Sequence, residues 1–455
     1  MSSVAPESDV DHYATARSTV KLSVIGAGYL GAVHAAAMAW QGFDVVAVDT
    51  DVAKVASLAA GRPTFFEPGF AALLAEVQAS DRLHFTSDYS EVADADVHFL
   101  CVGTPQRARS KAADLTHVWQ AVDSLAPHLT RPTVLAGKST VPVGTAAAIA
   151  ERLTRRAPAG AGVDVVWNPE FLREGYAVSD TITPDRIVVG SIDGRGMAPL
   201  REIYHRQIAA GVPFVECDLV TAELVKVAAN SFLATKISFI NAMAEVCEAT
   251  GADVSALAEA IGYDERIGSK FLRAGIGFGG GCLPKDIRAF MARAGELGVS
   301  EALTFLREVD EINLRRRSHA VTLAEQLAGG DVRGKRFAML GAAFKPDSDD
   351  VRDSPALDIA AAIATRGGEV AVHDPQAMAN AERSYPTLRY SPSAAEAIAG
   401  ADVVLLLTEW QEYRELQPAD LATLTSGRAI LDGRNVLDPA QWKAAGWTYR
   451  GMGRR

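Results

Sequence analysis

The feature that most constrains the fold is a long helical periodicity in the middle of the chain. From Cys217 to Thr250, apolar residues recur at helical spacing over more than thirty residues. Asp218 or Thr221 could cap the start of this helix, and Gly251 its end. Shorter apolar runs alternate with helical patterns on both sides. We therefore expect an α/β protein with two doubly wound Rossmann-like domains, joined by a long central helix that could also form an oligomer interface.

Short buried strands are predicted in both α/β stretches, and their alternation with helices indicates mostly parallel sheets. In the first stretch the predicted strands are Lys21–Ile25, Asp44–Val48, Val97–Val102, Val134–Gly137 and Val163–Trp167. In the second they are Arg336–Leu340, Glu369–His373, Asp402–Leu407 and Ala429–Leu431. Ligands of such sheets bind beyond the carboxyl ends of the strands, so the polar segments that follow these strands are candidate site residues.

The composition argues against several classes of function. A net charge of -11 over 455 residues does not suit a nucleic-acid binder, which needs a basic face. No apolar run approaches the ~18 residues of a membrane span, and residues 1–19 lack the apolar core of a secretory signal, so we expect a flexible tail there. The four cysteines form no disulfide framework and no CxxC metal pair: Cys101, Cys217, Cys247 and Cys282. We expect a cytoplasmic protein with reduced thiols, no bound metal, and no membrane or nucleic-acid partner.

A nucleotide-binding pattern lies between the first predicted strand and its helix. The segment Gly26-Ala27-Gly28-Tyr29-Leu30-Gly31 has the G-x-G-x-x-G spacing of a dinucleotide-binding turn. Glycines there allow the backbone to approach a pyrophosphate, which the helix N-terminus then faces. Asp49, eighteen residues after the last glycine, would accept from ribose hydroxyls, which favours NAD over its 2′-phosphorylated relative. Lys54 could contact a phosphate or could be a solvated helix residue.

A second pattern points to covalent chemistry. Cys282 lies in the segment Phe278-Gly279-Gly280-Gly281-Cys282-Leu283-Pro284-Lys285-Asp286, on a glycine-lined loop. A thiol nucleophile together with a hydride acceptor suggests an enzyme that oxidises through a thioester. Lys226 and Asn230 stack on one face of the long helix, and a partly desolvated lysine suits proton transfer. We interpret the other three cysteines as small core residues.

The chain resembles the UDP-glucose 6-dehydrogenase group of nucleotide-sugar dehydrogenases (the UDP-glucose/GDP-mannose dehydrogenase family) from Lys21 to Trp447. The motifs that carry the resemblance are Gly26–Gly31, Lys138–Pro142, Asn168–Gly175, Lys226–Asn241, Phe278–Asp286, Phe344–Pro355 and Asp432–Asn435. The resemblance implies an NAD-dependent, four-electron oxidation of UDP-glucose to UDP-glucuronate. Cys282 would form a hemithioacetal and then a thioester, which is hydrolysed.

The resemblance also implies roles for individual residues. Lys226 and Asp286 would position or deprotonate a water and the C6 hydroxyl, and Asn230 would stabilise an oxyanion. Glu170 would act as an acid–base group, with Thr140 holding the water. Which of these groups takes the first proton stays open. NAD would contact Gly26, Gly28, Tyr29, Leu30, Gly31, Asp49, Lys54, Thr104, Thr140, Glu174, Lys285 and Arg352. The substrate would contact Glu170, Phe171, Leu172, Lys226, Asn230, Arg266, Phe271, Arg273, Gly277, Phe278, Phe344, Lys345 and Arg434, with Arg266 reaching the sugar of a neighbouring subunit in a homodimer or higher homo-oligomer.

The resulting domain division is a tail over 1–19, an NAD-binding Rossmann domain over 20–216, a central helical dimerisation domain over 217–328, and a UDP-sugar-binding Rossmann-like domain over 329–455.

Three alternatives for the function stay open. The substrate could be another nucleotide sugar, such as GDP-mannose or UDP-N-acetylmannosamine. The chain could be a two-electron 3-hydroxyacid dehydrogenase, although Cys282 and the second α/β stretch argue against it. It could also be a non-catalytic nucleotide-sugar or NAD-binding protein.

Overall fold

The computed structural model of the chain describes residues 18–108 and 110–454, so the predicted tail falls almost entirely outside the described residues. Within them the chain divides into two compact units. One contains the described residues up to Pro105 and from Ala113 to Lys226, and the other contains Gln106–Ala112 and the chain from Val227 onward. The predicted division into three domains remains a proposal.

The first unit is built on one sheet flanked by helices. Its strands are β1 (Lys21–Ile25), β2 (Asp44–Val48), β3 (Leu83–Thr86), β4 (Val97–Leu100), β5 (Thr133–Gly137), β6 (Val163–Trp167), β7 (Ile187–Ser191) and β8 (Phe214–Asp218). Its helices are α1 (Tyr29–Trp40), α2 (Val52–Ala59), α3 (Phe70–Ala79), α4 (Thr116–Leu125), α5 (Thr145–Arg156), α6 (Ala177–Ile182), α7 (Met197–Ile203) and α8 (His205–Ala209).

The strand order of this sheet is β3-β2-β1-β4-β5-β6-β7-β8, and all neighbouring pairs are parallel except β6 with β7. Both faces are covered, as a parallel sheet requires. Successive residues of β1 therefore enter two separate cores, Val24 on one face and Ile25 on the other. The topology brings the carboxyl ends of β1, β4, β5 and β6 to one edge, where the polar segments follow.

The second unit carries a smaller sheet with the same topology. Its strands are β9 (Arg336–Leu340), β10 (Glu369–His373), β11 (Arg389–Tyr390), β12 (Val403–Leu406), β13 (Ala429–Asp432) and β14 (Thr448–Gly451), in the order β11-β10-β9-β12-β13-β14. The strands pair in parallel throughout the described sheet. Helix α9 (Leu219–Thr250) begins in the first unit and continues into the second. The helices after it are α10 (Val254–Gly262), α11 (Leu283–Glu296), α12 (Thr304–Leu327), α13 (Pro355–Thr365), α14 (Met378–Ser384), α15 (Ala394–Ile398), α16 (Gln411–Arg414), α17 (Pro418–Leu424) and α18 (Pro439–Ala444).

The long central helix is α9, and its start and end have the predicted caps. The Asp218 carboxylate accepts from the backbone N–H of Thr221 at 2.8 Å, and Gly251 has a φ of +83° with its N–H bonded to the Cys247 carbonyl. Cys217, at which the helical periodicity begins, instead lies in the edge strand β8. The predicted fold class, two doubly wound Rossmann-like domains joined by a long helix, is confirmed.

Across residues 18–108 and 110–454, no helix combines the length and the apolar character that crossing a bilayer requires. In the same part of the chain, no three His, Cys, Asp or Glu side chains gather into a group that could hold a metal ion.

Candidate active site

The dinucleotide-binding turn of the first unit has the geometry that its glycines predict. Gly26 has a φ of +97° and donates its N–H to the Val48 carbonyl at 2.7 Å, which ties the turn to the neighbouring strand. A Cβ on Gly31 would lie 1.8 Å from the Gly26 carbonyl oxygen, so only glycine fits there. Helix α1 begins at Tyr29 without a side-chain cap, which leaves its N-terminus available to a phosphate.

Asp49 lies at the end of β2, beside this turn. Its Oδ2 accepts from the Ala27 N–H at 2.9 Å and pairs with Lys54 Nζ at 2.8 Å, and the residue retains 9% exposure. The structure therefore joins Lys54 to the carboxylate that would bind a ribose. A carboxylate at this position, with part of its surface exposed, fits the adenosine ribose of NAD and would repel a 2′-phosphate.

Glu67, which the sequence did not single out, links the cofactor turn to the segment that contains Glu170. Its carboxylate is 5% exposed and accepts from the backbone N–H groups of Gly175 and Ala177, at 2.6 and 2.7 Å, and from the Tyr29 hydroxyl. Burial and the neighbouring Glu67 carboxylate raise the pKa of Tyr29, so the phenol stays protonated and donates. The Pro68-Gly69 turn that follows Glu67 indicates a loop but not these partners.

Glu170 and Lys226 form a nearly buried ion pair. Lys226 Nζ lies 3.0 Å from Glu170 Oε1, and the exposed fractions of the two side chains are 6% and 12%. The other carboxylate oxygen accepts from the Leu172 N–H at 2.8 Å, and the lysine ammonium lies 5.7 Å from the centre of the Phe171 ring. A carboxylate and an amine in hydrogen-bond contact can exchange a proton, which is the requirement for acid–base chemistry.

The segment of Thr140 is held by two contacts. Thr104 Oγ1 donates to the Thr140 carbonyl at 2.8 Å, which brings two predicted cofactor residues together. Glu223, on α9 just before Lys226, accepts from the N–H groups of Gly144 and Ala146, each at 2.7 Å. Glu223 is 2% exposed and caps the N-terminus of α5, so it fixes α9 against this segment. No pattern in the sequence around Glu223 indicates this role.

Cys282 is an exposed thiol at the N-terminus of α11 in the second unit. Its carbonyl accepts from the Asp286 N–H at 2.9 Å, and a helix N-terminus favours an anion at this position. Asp286 is 2% exposed and accepts from Asn230 Nδ2 and Lys285 Nζ, each at 2.6 Å. The structure thus brings three predicted residues, Asn230, Lys285 and Asp286, into one hydrogen-bonded group on the first turn of the helix that Cys282 begins.

The glycines before Cys282 allow other groups to approach the loop. Gly280 has a φ of +85° and donates to the Arg352 carbonyl at 2.8 Å. A Cβ on Gly281 would lie 2.2 Å from the guanidinium carbon of Arg352, so this side chain lies directly against the thiol loop. Arg352 also pairs with Asp350 at 2.6 Å.

Arg434 is already bound by the backbone around the predicted substrate residues. Its guanidinium donates to the carbonyls of Gly277, Phe344 and Leu407, at 3.0, 3.0 and 2.8 Å. Burial lowers its pKa from the ordinary value, and Glu409 lies 3.4 Å away. Arg434 therefore shapes this loop cluster through three of its five N–H groups, which leaves two for a ligand.

Asn313, on α12, holds the start of the thiol loop and was not identified from the sequence. The amide is fully buried; its Oδ1 accepts from the Phe278 N–H at 2.7 Å, and its Nδ2 donates to the Phe278 carbonyl at 2.9 Å. The local sequence pattern does not indicate an asparagine that binds a backbone segment far away along the chain.

Lys345, another predicted substrate residue, lies 5.6 Å from the centre of the Phe344 ring.

Three predicted substrate residues are exposed, and one of them, Arg273, lies close enough to Arg434 for its charge to act on that guanidinium. Arg266 pairs with Asp264 at 2.6 Å while its side chain remains 89% exposed. Phe271 has a φ of +64° and is 39% exposed, and Arg273 is exposed. Glu174 lies in the half-buried part of the Asn168–Gly175 segment.

The second Rossmann-like unit differs from the first at the position that would bind a ribose. Asp374 follows β10 as Asp49 follows β2, but it is 1% exposed. One of its oxygens accepts from Ala342 and Ala343 N–H and from Trp410 Nε1, and the other from Gln376 and Ala377 N–H, all within 2.8–3.0 Å. These contacts occupy the Asp374 carboxylate, so it has no free acceptor for a ribose, whereas Asp49 at the equivalent position of the first unit is still partly exposed.

Comparison with known proteins agrees with this geometry. Three profiles of the UDP-glucose/GDP-mannose dehydrogenase family match in order: the NAD binding domain over 20–208, the central domain over 220–315 and the UDP binding domain over 338–439. The UDP-glucose 6-dehydrogenase of Rhizobium meliloti is 42% identical over 96% of this chain and 100% of its own length, and a Bacillus subtilis UDP-glucose 6-dehydrogenase is 40% identical over 95% and 93%. The solved UDP-glucose dehydrogenase of Pyrobaculum islandicum is 37% identical, with a TM-score of 0.88 over 96% of this chain and 98% of that one. The chain therefore belongs to the UDP-glucose/GDP-mannose dehydrogenase family, and it is an oxidoreductase whose cofactor is NAD.

Proposed function

We propose that this chain oxidises UDP-glucose at C6 to UDP-glucuronate. The observation that carries the substrate is the similarity, over nearly the whole chain, to relatives named UDP-glucose 6-dehydrogenase. Bound NAD supplies the hydride acceptor for both oxidations, from alcohol to aldehyde and from hemithioacetal to thioester. The domains proposed for this work are 20–216 for NAD, 217–328 for dimerisation and 329–455 for the UDP sugar. A cytoplasmic location, with reduced thiols, is part of the proposal.

Cys282 is the proposed nucleophile. Its sulfur adds to the aldehyde carbon, and after the second oxidation the acyl group stays on sulfur as a thioester. Water then attacks the acyl carbon, the C–S bond breaks, and the products are a carboxylate and the free thiol. Exposure of Cys282 at the N-terminus of α11 supports this role, because the sulfur is accessible and a thiolate is stabilised there.

Acid–base chemistry is assigned to two clusters. In the first, Glu170 accepts a proton from the hydrolytic water, with Thr140 holding that water, and its contact with Lys226 at 3.0 Å supports the pairing. In the second, Asn230 and Asp286 serve the oxyanion and the C6 hydroxyl, supported by their contact at 2.6 Å. Lys226 and Asn230 are one helical turn apart on α9.

The active form is proposed to be a homodimer through α9. Phe232, Phe239 and Val246 repeat every seven residues on this helix and are 68%, 49% and 52% exposed. Such a stripe suits a second copy of the helix, and Arg266 would then reach the neighbour's sugar. Phe239→Glu should convert a dimer to a monomer in size-exclusion chromatography with light scattering, and a wild-type protein that elutes as a monomer would contradict the proposal.

The proposed function is tested by counting NADH per sugar consumed, with excess NAD and limiting UDP-glucose, beside GDP-mannose and UDP-N-acetylmannosamine. Two NADH per UDP-glucose, with UDP-glucuronate as product, is the expected result. One NADH with free aldehyde would refute the thioester role of Cys282. Activity only with another sugar would keep the mechanism and change the substrate; a relative from Pyrococcus horikoshii with a solved structure is named as a UDP-D-ManNAc dehydrogenase.

Two variants separate the chemical roles. Cys282→Ser should abolish the second oxidation. A variant that turns over like an active wild type would favour a thiol-independent enzyme, and no turnover in either protein would favour a non-catalytic binding protein. Glu170→Gln should slow hydrolysis, so that intact-mass spectrometry detects an acyl group on Cys282 after mixing with NAD and UDP-glucose.

A further inference from the structure

Asp353 adopts a backbone conformation that is uncommon for a residue with a side chain, and it lies against the thiol loop (Phe278–Cys282). Its φ is +47°, in the left-handed region that favours glycine, so neighbouring contacts must stabilise it. A Cβ on Gly279 would lie 2.2 Å from the Asp353 carbonyl oxygen. The next loop residue, Gly280, donates its N–H to the Arg352 carbonyl at 2.8 Å. The backbone of the thiol loop therefore packs directly on this segment.

Two arginines hold the Asp353 carboxylate. Arg288 Nη1 lies 3.1 Å from its Oδ2, and Arg317 Nη1 lies 2.7 Å from its Oδ1. The two arginine side chains are 15% and 7% exposed, so water and salt screen these pairs little. Arg288 belongs to α11, the helix that follows Cys282, and Arg317 belongs to α12. Asp353 therefore ties both helices together beside the thiol loop.

Arg317 also binds the thiol loop itself. Its Nη2 donates to the Phe278 carbonyl at 3.1 Å and to the Asp353 carbonyl at 3.3 Å. The Phe278 carbonyl accepts from Asn313 as well, one helical turn before Arg317 on α12, so both of its lone pairs are used. The loop that ends in the thiol is therefore fixed at its start by α12, along its length by Asp353, and at its end by α11.

We propose that Asp353 and Arg317 are positioning residues for Cys282: their ion pair fixes the thiol loop so that the sulfur meets the aldehyde carbon left by the first oxidation. This inference rests on the proposed function of Cys282 as nucleophile. The first oxidation needs no bond to sulfur, whereas the second needs the hemithioacetal. Because a misplacement of about 1 Å can slow a reaction about a hundredfold, loss of the pair should impair the second oxidation much more than the first.

The test measures the two oxidations separately. Asp353→Asn keeps the side-chain shape and tolerates a positive φ, but one of the two arginines then faces an NH₂ group instead of an oxygen. With excess NAD, limiting UDP-glucose and semicarbazide as an aldehyde trap, NADH per sugar consumed should fall from two towards one. With the C6 aldehyde supplied as substrate, kcat should fall by about tenfold or more. The ratio of NADH to sugar does not depend on how much of the protein is folded, so a loss of stability alone cannot change it.

Asp310→Asn is the matched control. Asp310 pairs with the same Arg288 at 2.8 Å, and its side chain is 7% exposed. Its loss leaves the contacts of Arg317 with Asp353 and the thiol loop in place, so NADH per sugar should stay at two.

Three further variants approach the same contact from other sides. Arg317→Met removes the donor to the Phe278 carbonyl and should lower the ratio as Asp353→Asn does. Gly279→Ala keeps every charge but pushes the loop away from Asp353, so it should lower the ratio too. Should Asp353→Asn fail to fold, Asp353→Gly carries the same test, because glycine adopts a positive φ without strain.

A folded Asp353→Asn protein that yields two NADH per sugar and oxidises the aldehyde at the wild-type rate would overturn the inference. An equal fall in Asp310→Asn would overturn it as well, because the effect would then follow from any lost ion pair. A wild-type protein that yields one NADH, or a Cys282→Ser protein that yields two, would instead overturn the proposed role of Cys282, and the inference with it.

Discussion

Replacing Glu67 by glutamine should loosen the first turn of α6. The carboxylate accepts from the Gly175 and Ala177 N–H groups at 2.6 and 2.7 Å and from the Tyr29 hydroxyl, and it is 5% exposed. Glutamine keeps the shape but supplies only one carbonyl oxygen. Its NH₂ group must therefore face one of the two backbone donors, which leaves an N–H group unpaired in a buried site.

The size of the effect follows from these contacts. A hydrogen bond to a charged group is worth about 1.5–3 kcal/mol, and an unpaired buried donor costs about 1–3 kcal/mol. We expect the local free energy of opening to fall by about 3 kcal/mol, which is on the order of a hundredfold in hydrogen-exchange protection. Because Tyr29 belongs to the cofactor turn, the KM for NAD should rise as well.

Hydrogen-exchange mass spectrometry of the peptide that contains Gly175 and Ala177 measures this directly. Tyr29→Phe leaves both amide contacts and should reduce protection by about tenfold or less. Glu76→Gln is the matched control, because this exposed glutamate bonds Trp40 at 3.0 Å in the same unit and should leave the peptide unchanged. Wild-type protection in Glu67→Gln would refute the reasoning.

Three other predictions concern the cofactor, the thiols and acid stability. Asp49→Ser should raise the KM for NAD about tenfold and increase turnover with NADP, because it removes the carboxylate that we propose accepts from ribose hydroxyls and repels a 2′-phosphate; unchanged cofactor preference would contradict this. Iodoacetamide should label Cys282 rapidly and spare Cys101, whose pKa burial raises to about 12; peptide mapping checks this, and equal rates would argue against it. Burial lowers the pKa of His98 to about 3, so the stability that its neutral form contributes is complete above pH 6.5 and is lost as the pH falls towards 3. The free energy of unfolding measured in urea should therefore fall by about 1.4 kcal/mol per pH unit for this group in that window. The slope should be flatter in His98→Gln.

Several buried strands were predicted with the right bounds, although β7, which is fully buried inside the sheet, was missed. The bounds of β1, β2, β6, β9 and β10 match the apolar runs in the sequence, because a strand covered on both faces reads as a continuous apolar segment. The edge strand β8 was missed, and Cys217 was assigned to the helical run instead. Val215, Glu216 and Asp218 of this strand are exposed, so it has neither the apolar run nor the alternation that marks a strand.

The candidate site, too, was only partly predictable from the sequence. Local motifs pointed to Cys282, Asp286 and Glu170, because each lies in a short segment with glycines or a strand end beside it. The supporting residues Glu67, Glu223 and Asn313 did not show in the sequence. Their partners are backbone groups 35 to 110 residues away along the chain, and no local spacing encodes such a pairing.

Asp49 and Asp374 show why a fold position alone does not assign a ligand. Both follow the second strand of a sheet with the same order, so topology gives both the same chance to bind a ribose. In the first unit the carboxylate accepts from Ala27 and Lys54 and remains 9% exposed. In the second, Trp410 Nε1 and four backbone N–H groups close around it, and it becomes part of the core that shapes the loop after β9. One indole and one loop conformation therefore decide between the two outcomes. Substitution of Trp410 by a smaller residue should reopen the Asp374 carboxylate to solvent. It should not create a pyrophosphate site, because the segment Gly341-Ala342-Ala343-Phe344 lacks the second glycine that lets backbone approach a phosphate.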